Sequence, residues 1–375
     1  MFTMHPTLLV GPADWDPTRM PKAEFLSRIE ELWIEFPSAS GAIVYGDSRH
    51  HAELAYLTNF TPKLEPALAL ISRFGPPQLL VGGGANMLAA AKPLTWVEKL
   101  APLRNSGSVV AQWVSEVTPS SSPKARPVLI GSKSAPWALH QQIFAPLGPE
   151  VVDVTLALHR RMRRKSPGEI RALSDGCTSL NAAVVALVDA HGSGADVSTV
   201  VLAAEHAARR CGAQDIRSLF SLDGGRTLHP LTATVDYPVE ALQVYLAVRQ
   251  LGYWVEGFVV STNAASPTLT RTQDVLRSAI TSVRPGRRCA DLARMIADGI
   301  MPLAAHPVTA KECGSSLGLM FGGPLRLSAD SDDTFAAGDV LSIRVGAANE
   351  RGGAIVSTVV AVQDVANSVL WPASR

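Results

Sequence analysis

The feature that most constrains this chain of 375 residues is a stretch near its C-terminal end that alternates glycine-rich segments with apolar strands. The stretch runs from Glu312 to Val360 and reads ECGSSLGLMFGGPLRLSADSDDTFAAGDVLSIRVGAANERGGAIVSTVV. A glycine-rich segment and an acidic loop come first. A strand ending at Gly346, a turn at Gly352–Gly353 and a second strand follow. Two long apolar strands in succession predict a sheet that is buried on at least one face.

Four pieces of this stretch resemble the C-terminal half of the creatinase/aminopeptidase P/methionine aminopeptidase family, the pita-bread fold. GSSLGL, PLRLSADSD, FAAGDVLSIRVG and GGAIVSTVV stand where the family has GHGIGL, PRLSPGSD, LEPGMVFTIEPG and GGVRIEDTV. The resemblance implies an α/β (α+β) protein of two domains. From this resemblance, residues 1–160 are expected to form a creatinase-like mixed α/β domain, and residues 161–375 a pita-bread domain, an antiparallel sheet backed by helices.

Helical patterns along the chain agree with this architecture. Apolar residues at helical spacing predict a helix over Lys22–Glu35, and GAIVYG (Gly41–Gly46) predicts a buried strand. In the family, RxxKSPEEI opens the second domain, and here Ser166 is the expected N-cap with Glu169 as its capping-box partner. Further helices are expected at Glu169 to about Ala190, Ser198–Cys211, and twice within Asp274–Ala304.

Charge and composition exclude several classes of partner. A formal net charge of +1 predicts no binding to nucleic acid or to an anionic membrane surface. No apolar run reaches the ~18 residues of a membrane span. The N-terminus, MFTMHPTLLVGPADWDP, shows no signal peptide. The four cysteines are far apart in the sequence, as expected of free thiols in a reducing compartment. A cytoplasmic protein is predicted.

The resemblance also concerns a metal site, because relatives bind two divalent cations through two aspartates, one histidine and two glutamates. Matching the family segment VDLGAEYDGYASD to residues 249–261 places Gln250 and Ser261 at the aspartate positions. The histidine position falls on Ser315, and the glutamate positions fall on Arg344 and Val356. A guanidinium among two dications would be strongly repelled. The sequence therefore predicts no metal, no other cofactor and no metallopeptidase activity.

His229, in GGRTLHPLTATVDYP, is the predicted catalytic residue. Its context resembles a family segment whose histidine contacts the substrate in aminopeptidase P and transfers a proton in creatinase, which hydrolyses a C–N bond without a metal. An imidazole suits this task because its unperturbed pKa lies near neutrality. The alternative is a structural histidine that caps a turn.

Further side chains are predicted to line the same cleft. Loss of the anionic ligands and the presence of Arg344 favour a carboxylate-, phosphate- or carbonyl-bearing ligand over a cation. Glu256 is either a further cleft group or the partner of Arg344, and Trp254 is a candidate wall. A nucleophilic role of Ser315 or Cys313 stays open. The predicted substrate-binding residues are Arg344, Gln250, Ser261, Ser315, Trp254 and Glu256.

Two hypotheses about function follow. The first is a metal-independent, homodimeric enzyme that uses a histidine general acid/base on a small carboxylate- or carbonyl-bearing substrate. Its reaction would be hydrolysis of a C–N bond, or a related elimination or cyclisation in a biosynthetic pathway. The alternative is a non-catalytic pseudo-peptidase that acts as a protein or peptide binding module. A polar buried cleft with a perturbed histidine favours the first hypothesis, and a collapsed cleft favours the second.

Overall fold

A computed structural model describes residues 14–83, 85–118, 125–223, 225–350 and 352–372. The chain divides into two compact units, with the boundary between Met162 and Arg163. The predicted absence of a signal peptide concerns mainly residues 1–13, which lie outside the described residues. Among the residues described, no helix combines the length and apolarity needed to cross a membrane.

The first unit is built on a mixed five-stranded sheet in the order β4-β3-β2-β1-β5. Pairing is antiparallel between β1 and β2 and between β2 and β3, and parallel at the outer pairs. The strands are β1 Gly41–Gly46, β2 Ala67–Ser72, β3 Gln78–Val81, β4 Lys99–Pro102 and β5 Val128–Ile130. The helices are α1 Lys22–Glu35, α2 Ala52–Thr58, α3 Ala85–Ala91, α4 Ser106–Val117, α5 Trp137–Ile143 and α6 Thr155–Arg163, whose last residue crosses the boundary.

The second unit contains two antiparallel sheets, one of three strands (β6-β7-β8) and one ordered β10-β11-β12-β13, with β9 paired to β11. The helices are α7 Pro167–Gly192, α8 Val197–Arg210, α9 Pro267–Ser282 and α10 Cys289–Ile300. The strands are β6 Asp215–Ser221, β7 Ala241–Gln250, β8 Tyr253–Thr262, β9 Ala304–Ala305, β10 Gly314–Ser316, β11 Val340–Asn349, β12 Gly352–Ala361 and β13 Ser368–Trp371.

The start of α7 confirms the predicted capping box. The Ser166 hydroxyl accepts a hydrogen bond from the Glu169 backbone N–H at 3.1 Å, and the Glu169 carboxylate accepts one from the Ser166 N–H at 3.2 Å. Two amides of the first turn thereby gain partners that the helix itself cannot supply. The α9 helix begins earlier than expected, because Ser266 caps it and Pro267 occupies its first position.

The predicted turn at Gly352–Gly353 is wrong, since both glycines lie within β12. Gly352 pairs with Asn349, so residues 350–351 connect β11 to β12, and Arg351 lies outside the described residues. A Cβ atom at position 353 would lie 2.7 Å from the ring of His306. Gly353 therefore permits close packing of the buried His306 ring on the strand.

Apolar side chains of β11 and β12 form the core on one face of the five-stranded sheet of the second unit. Ile343 and Val345 are fully buried there, together with Val356 and residues of α9 and α10. Because side chains alternate across a strand, the residues between them project from the opposite face. Arg344 and Ser342 lie on that opposite face, which is where the candidate site is found.

Candidate functional site

The turn between β7 and β8 decides which residues of the hairpin reach the site. Leu251 and Gly252 connect the two strands, and both have positive φ angles, 49° and 83°. Two successive positive φ angles are the signature of a type I′ turn, which Asp-Gly and Asn-Gly sequences favour. The family segment VDLGAEYDGYASD contains such an Asp-Gly pair followed by tyrosine. Leu251–Gly252 followed by Tyr253 is its counterpart.

This turn corrects the predicted alignment of the two aspartate positions. Counting from the turn, the first aspartate position falls on Tyr245 and the second on Glu256, not on Gln250 and Ser261. The two side chains meet in the structure, where the Tyr245 hydroxyl donates a 2.6 Å hydrogen bond to Glu256 Oε2. Aligning Leu251–Gly252 with the Leu-Gly pair of the family segment places both aspartate positions on the wrong residues. Aligning Leu251–Gly252 with the Asp-Gly pair of the turn places them on Tyr245 and Glu256.

Strand pairing shows why Gln250 and Ser261 do not belong to the site. Residues directly opposite in an antiparallel pair share a face. Glu256 is opposite Ala247, whereas Gln250 is opposite Tyr253 and faces the other way. Gln250 and Trp254 therefore lie on opposite faces of the hairpin, because the chain reverses at the turn and Trp254 is opposite Arg249.

Both residues are engaged on the helix-covered face. Gln250 accepts a hydrogen bond from the Ser179 hydroxyl of α7 at 2.5 Å. Ser261 is hydrogen-bonded to His191 Nδ1 at 2.8 Å. The strand partner of Ser261 is Leu242, eight residues from Gln250 and thus about 27 Å away along the strand. One small ligand cannot contact both.

The second glutamate position also needs correction. In GGVRIEDTV the glutamate is the fifth residue after the first glycine, so from Gly352 it falls on Ser357 and not on Val356. Ser357 is directly opposite Arg344 in the β11–β12 pair. Its hydroxyl accepts a 2.7 Å hydrogen bond from the Phe258 N–H of β8, which joins the two sheets. Val356 is in the core on the other face.

Arg344 and Glu256 form the charged centre of the site. Arg344 Nε lies 3.8 Å from Glu256 Oε1, and Arg344 Nη2 donates a 3.2 Å hydrogen bond to Glu312. Arg326, more exposed, donates a 2.7 Å hydrogen bond to the other Glu312 oxygen. Glu256 is buried, with 7% of its surface exposed. Burial and the adjacent Glu256 carboxylate raise the pKa of Tyr245 far above its ordinary value, so the phenol stays protonated and donates to Glu256.

A stack of two aromatic rings and a guanidinium lies beside this centre. The Arg217 guanidinium carbon lies 4.6 Å from the ring centre of Trp254 and 4.6 Å from that of Phe321. The two rings meet edge to face at 5.1 Å. Trp254 is buried, while Phe321 is 44% exposed. Arg249 is also near Trp254, and burial lowers the pKa of its side chain to about 10. Trp254 lies on the same face of the hairpin as Glu256, and its contacts with Arg217 and Phe321 were not predicted.

His229 lies at the edge of the three-stranded sheet and is exposed. Its backbone pairs with Phe220 of β6, whose partner Val244 is on the helix-covered face. The neighbouring Leu228 packs with Tyr245 and other apolar residues on the site face. By alternation, the His229 side chain projects away from the site face.

His229 does have an ordered environment of its own. Its Nε2 atom is 2.9 Å from the Thr227 hydroxyl, which donates a 2.6 Å hydrogen bond to Asp223. Burial alone would raise the pKa of Asp223, but hydrogen bonds from Thr227 and Ser221 lower it well below its usual range. The chain Asp223–Thr227–His229 fixes the ring on the outside of the sheet.

Ser315 and Cys313 differ in their access to the site. Ser315 pairs with Ser342 in β10–β11, on the same face as Arg344, and is buried. The Cys313 thiol hydrogen-bonds to the Leu327 carbonyl at 3.2 Å. Burial raises the pKa of this thiol to about 12, so Cys313 carries no thiolate at neutral pH and does not suit a nucleophile.

The side chains at the five ligand positions do not fit a pair of divalent cations. Such a site needs several anionic oxygens or imidazoles, and Glu256 is the one carboxylate among the five. The charge of Glu256 is neutralised by Arg344. A pair of metal ions would instead require a glutamate at position 344. Among the described residues, no group of three or more histidine, cysteine, aspartate and glutamate side chains is arranged to hold a metal ion. The five residues are Tyr245, Glu256, Ser315, Arg344 and Ser357.

Comparison with known proteins agrees with the architecture. The sequence of residues 256–364 matches the family model of metallopeptidase family M24. The prolidase from Pyrococcus horikoshii is 14% identical, with a TM-score of 0.75 over 94% of this chain and 99% of that one. Dipeptidase PepE from Mycobacterium ulcerans is 16% identical, with a TM-score of 0.74 over 96% and 97%. Zinc-substituted aminopeptidase P from E. coli is 13% identical, with a TM-score of 0.72 over 96% of each chain.

At these identities the solved structures establish the fold alone. No curated protein matches the sequence. The C-terminal part of the chain thus matches the M24 family model, and the chain has the fold of the prolidases and of aminopeptidase P. The predicted fold class and family resemblance are confirmed.

Proposed function

We propose that this protein is a non-catalytic member of the M24 superfamily that binds a carboxylate-bearing ligand, such as a peptide C-terminus, rather than hydrolysing a peptide. One observation carries the proposal. Where relatives place metal ligands, this chain places a carboxylate, Glu256, that is held by the Tyr245 phenol and neutralised by the Arg344 guanidinium. A guanidinium in this place supplies positive charge without the Lewis acidity or activated water that a metal provides.

The closure of the site supports a non-catalytic role. Glu256 Oε1 and Arg344 Nε are both buried and have no hydrogen-bond partner among the described residues. Trp254 is buried beside them under the exposed ring of Phe321. Among the described residues, the charged centre therefore exposes little polar surface to a substrate. The collapsed arrangement is the one that favours binding over catalysis.

The outer part of the stack suggests the class of ligand. Arg217 is exposed, and its guanidinium contacts the rings of Trp254 and Phe321. An exposed guanidinium can bind a carboxylate through two parallel hydrogen bonds. The exposed face of Phe321 can contact the apolar part of the same ligand.

The first test measures peptide hydrolysis. Purified protein is incubated with X-Pro dipeptides and tripeptides in the presence of Mn²⁺, Co²⁺ or Zn²⁺, alongside an active aminopeptidase P. We expect no proline release above buffer. Turnover that a chelator abolishes would overturn the proposal.

The second test measures binding by calorimetry. A panel of short peptides is compared with the same peptides carrying a C-terminal amide, which removes the carboxylate. We expect a binding peptide to lose at least ten-fold in affinity on amidation and on Arg217→Gln, whereas the exposed Arg271→Gln serves as the matched control. Equal effects of the two arginine substitutions, or the absence of binding across the panel, would contradict the assignment of Arg217.

A metal-independent histidine enzyme is the second candidate, and the Asp223–Thr227–His229 chain favours it. A hydroxyl between the carboxylate and the imidazole would orient the ring for proton transfer. The test is a screen of small amides and ureido acids for C–N bond hydrolysis. An activity that is lost in both His229→Ala and Thr227→Val, and retained in Arg217→Gln, would support this candidate over the binding role.

A further inference from the structure

A second site lies on the helix-covered side of the sheets. A cavity of about 560 Å³ opens between α7, α9 and strands β8, β12 and β13. This volume is within the range of about 300–1,000 Å³ that is typical of small-molecule sites. The lining residues are Val184, Phe258, Val259, Val260, Leu269, Gln273, Leu276, Arg277, Ile280, Val356, Ser357, Thr358, Val369, Trp371 and Pro372.

The interior of this cavity is apolar. Aliphatic side chains of the surrounding helices and strands form most of its wall. Leu276 of α9 and Val356 of β12 are examples. The two hydroxyl groups in the wall are already engaged. Ser357 accepts a hydrogen bond from the Phe258 N–H, and Thr358 donates a 2.7 Å bond to the Trp371 carbonyl. A ligand inside would therefore meet hydrocarbon and few free polar groups.

The polar end of the cavity is positively charged. Arg277 is the one ionisable side chain among the lining residues, and Gln273 lies four residues before it on the same face of α9. The Arg277 side chain is 69% exposed, and its ion pair with Asp274 joins two exposed groups. Such surface pairs contribute little to stability, so the guanidinium is free to turn towards an anion at the rim.

We propose that this cavity binds a monocarboxylate with an apolar chain, of the medium-chain fatty acid class. The hydrocarbon chain occupies the space between α7, α9 and the strands, and the carboxylate lies at the rim beside Arg277 and Gln273. The cavity is distinct from the charged centre of the opposite face, because neither Glu256 nor Arg344 lines it, although Ser357 borders both.

The experiment is calorimetric titration of the full chain with octanoate, decanoate and laurate below their critical micelle concentrations. We expect one molecule per chain and a Kd that falls about four-fold for each added methylene, since each buried methylene contributes about 0.8 kcal/mol. Val184→Trp, which fills the cavity from α7, should weaken binding at least ten-fold. Val185→Trp is the matched control on the exposed face of the same helix and should change the Kd less than two-fold.

The head group is tested separately by comparing decanoate with decanol. Arg277→Gln should weaken decanoate about ten-fold and leave decanol unchanged. Absence of decanoate binding at millimolar concentration, or equal losses in the two tryptophan variants, would overturn the cavity assignment. Equal losses of affinity for decanoate and decanol in Arg277→Gln would overturn the assignment of the carboxylate to the rim beside Arg277.

Discussion

Arg344 Nε lies 3.8 Å from Glu256 Oε1 on facing strands of two different sheets, and both groups are buried. The two residues come from strands almost ninety positions apart in the chain. Arg344 is the counter-charge of Glu256, and it also donates a 3.2 Å hydrogen bond to Glu312. Loss of Arg344 would leave the buried Glu256 carboxylate without compensation in a region of low dielectric.

Removing one partner of this pair should destabilise the protein strongly. Arg344→Met leaves the buried Glu256 carboxylate without its counter-charge, and we expect a loss of about 3 kcal/mol in the free energy of unfolding. The double variant with Glu256→Gln should recover at least about 1 kcal/mol, because the remaining charge is gone. Urea denaturation at pH 7 measures both. Arg326→Met, whose side chain is 55% exposed, should cost less than about 1 kcal/mol, and equal losses at the two arginines would refute the argument.

Restoring ligand chemistry should create metal binding. Glu256 already stands at one ligand position, so the variant Tyr245→Asp, Ser315→His, Arg344→Glu and Ser357→Glu would carry five oxygen and imidazole ligands. We expect this variant to bind Mn²⁺ in calorimetry, while the natural chain binds none at this site. The same variant with Arg344 retained is the control and should not bind, because the guanidinium repels the cation. Circular dichroism checks that each variant is folded.

The four cysteines should differ sharply in reactivity. Burial raises the pKa values of Cys177, Cys289 and Cys313 to about 12 each, whereas Cys211 is exposed. Since the thiolate is the reactive form, a native-state titration with a disulfide reagent should show one fast thiol, which Cys211→Ser removes. The other three should react only after denaturation. Rapid labelling of Cys313 in the native state would contradict this expectation and would support a nucleophilic role for Cys313.

Gly257 should be required for the packing of β8 against Trp371. A Cβ atom at this position would lie 2.6 Å from the Trp371 ring, and the ring is almost fully buried. Gly257→Ala should therefore destabilise the protein by about 2 kcal/mol through overpacking. Gly192→Ala is the matched control, because no atom lies within 4 Å of its added Cβ. Thermal unfolding should show a lower Tm for the first variant and an unchanged or higher Tm for the second.

His306 should make the folded state sensitive to mild acid. Its Nε2 atom hydrogen-bonds to the Gly225 carbonyl, and its Nδ1 atom accepts a 3.2 Å bond from the Val308 N–H. Burial lowers the pKa of this ring below its ordinary value of 6.5, so the folded state keeps it neutral. Below pH 6.5 the unfolded chain takes up a proton that the folded chain does not, and stability falls as the pH decreases.

The measurement is urea denaturation between pH 7.5 and 5.0. We expect the free energy of unfolding to fall through this range in the natural protein and to fall less steeply in His306→Gln, which cannot titrate. Parallel slopes in the two proteins would show that His306 does not contribute.

Much of the architecture could be predicted from the sequence because its signals are local. The helix over Lys22–Glu35 and the Ser166–Glu169 capping box depend on residues within a few positions of each other, and both are confirmed. The family resemblance likewise rests on short motifs around Gly314 and Gly346. These features are set by periodicity, capping and turn chemistry, which act before any distant contact forms.

The candidate site was predicted less well, because its membership depends on register. Matching Leu-Gly to Leu-Gly moved the aspartate positions to Gln250 and Ser261, on the wrong face of the sheet. The positive φ angles at Leu251 and Gly252 place the turn and bring Tyr245 beside Glu256. A count from that turn would have found both residues in the sequence.

By itself, then, the sequence determined several of the helices and strands, the fold class, and the presence of an arginine where relatives have a glutamate. Only the tertiary structure decided that Arg344 pairs with Glu256 and Glu312, that Arg217 contacts both Trp254 and Phe321, and that His229 projects from the other face. The physical reason is that side-chain alternation makes every contact depend on strand register. Register between strands far apart in the chain is fixed by packing of the complete sheets, which no local pattern encodes.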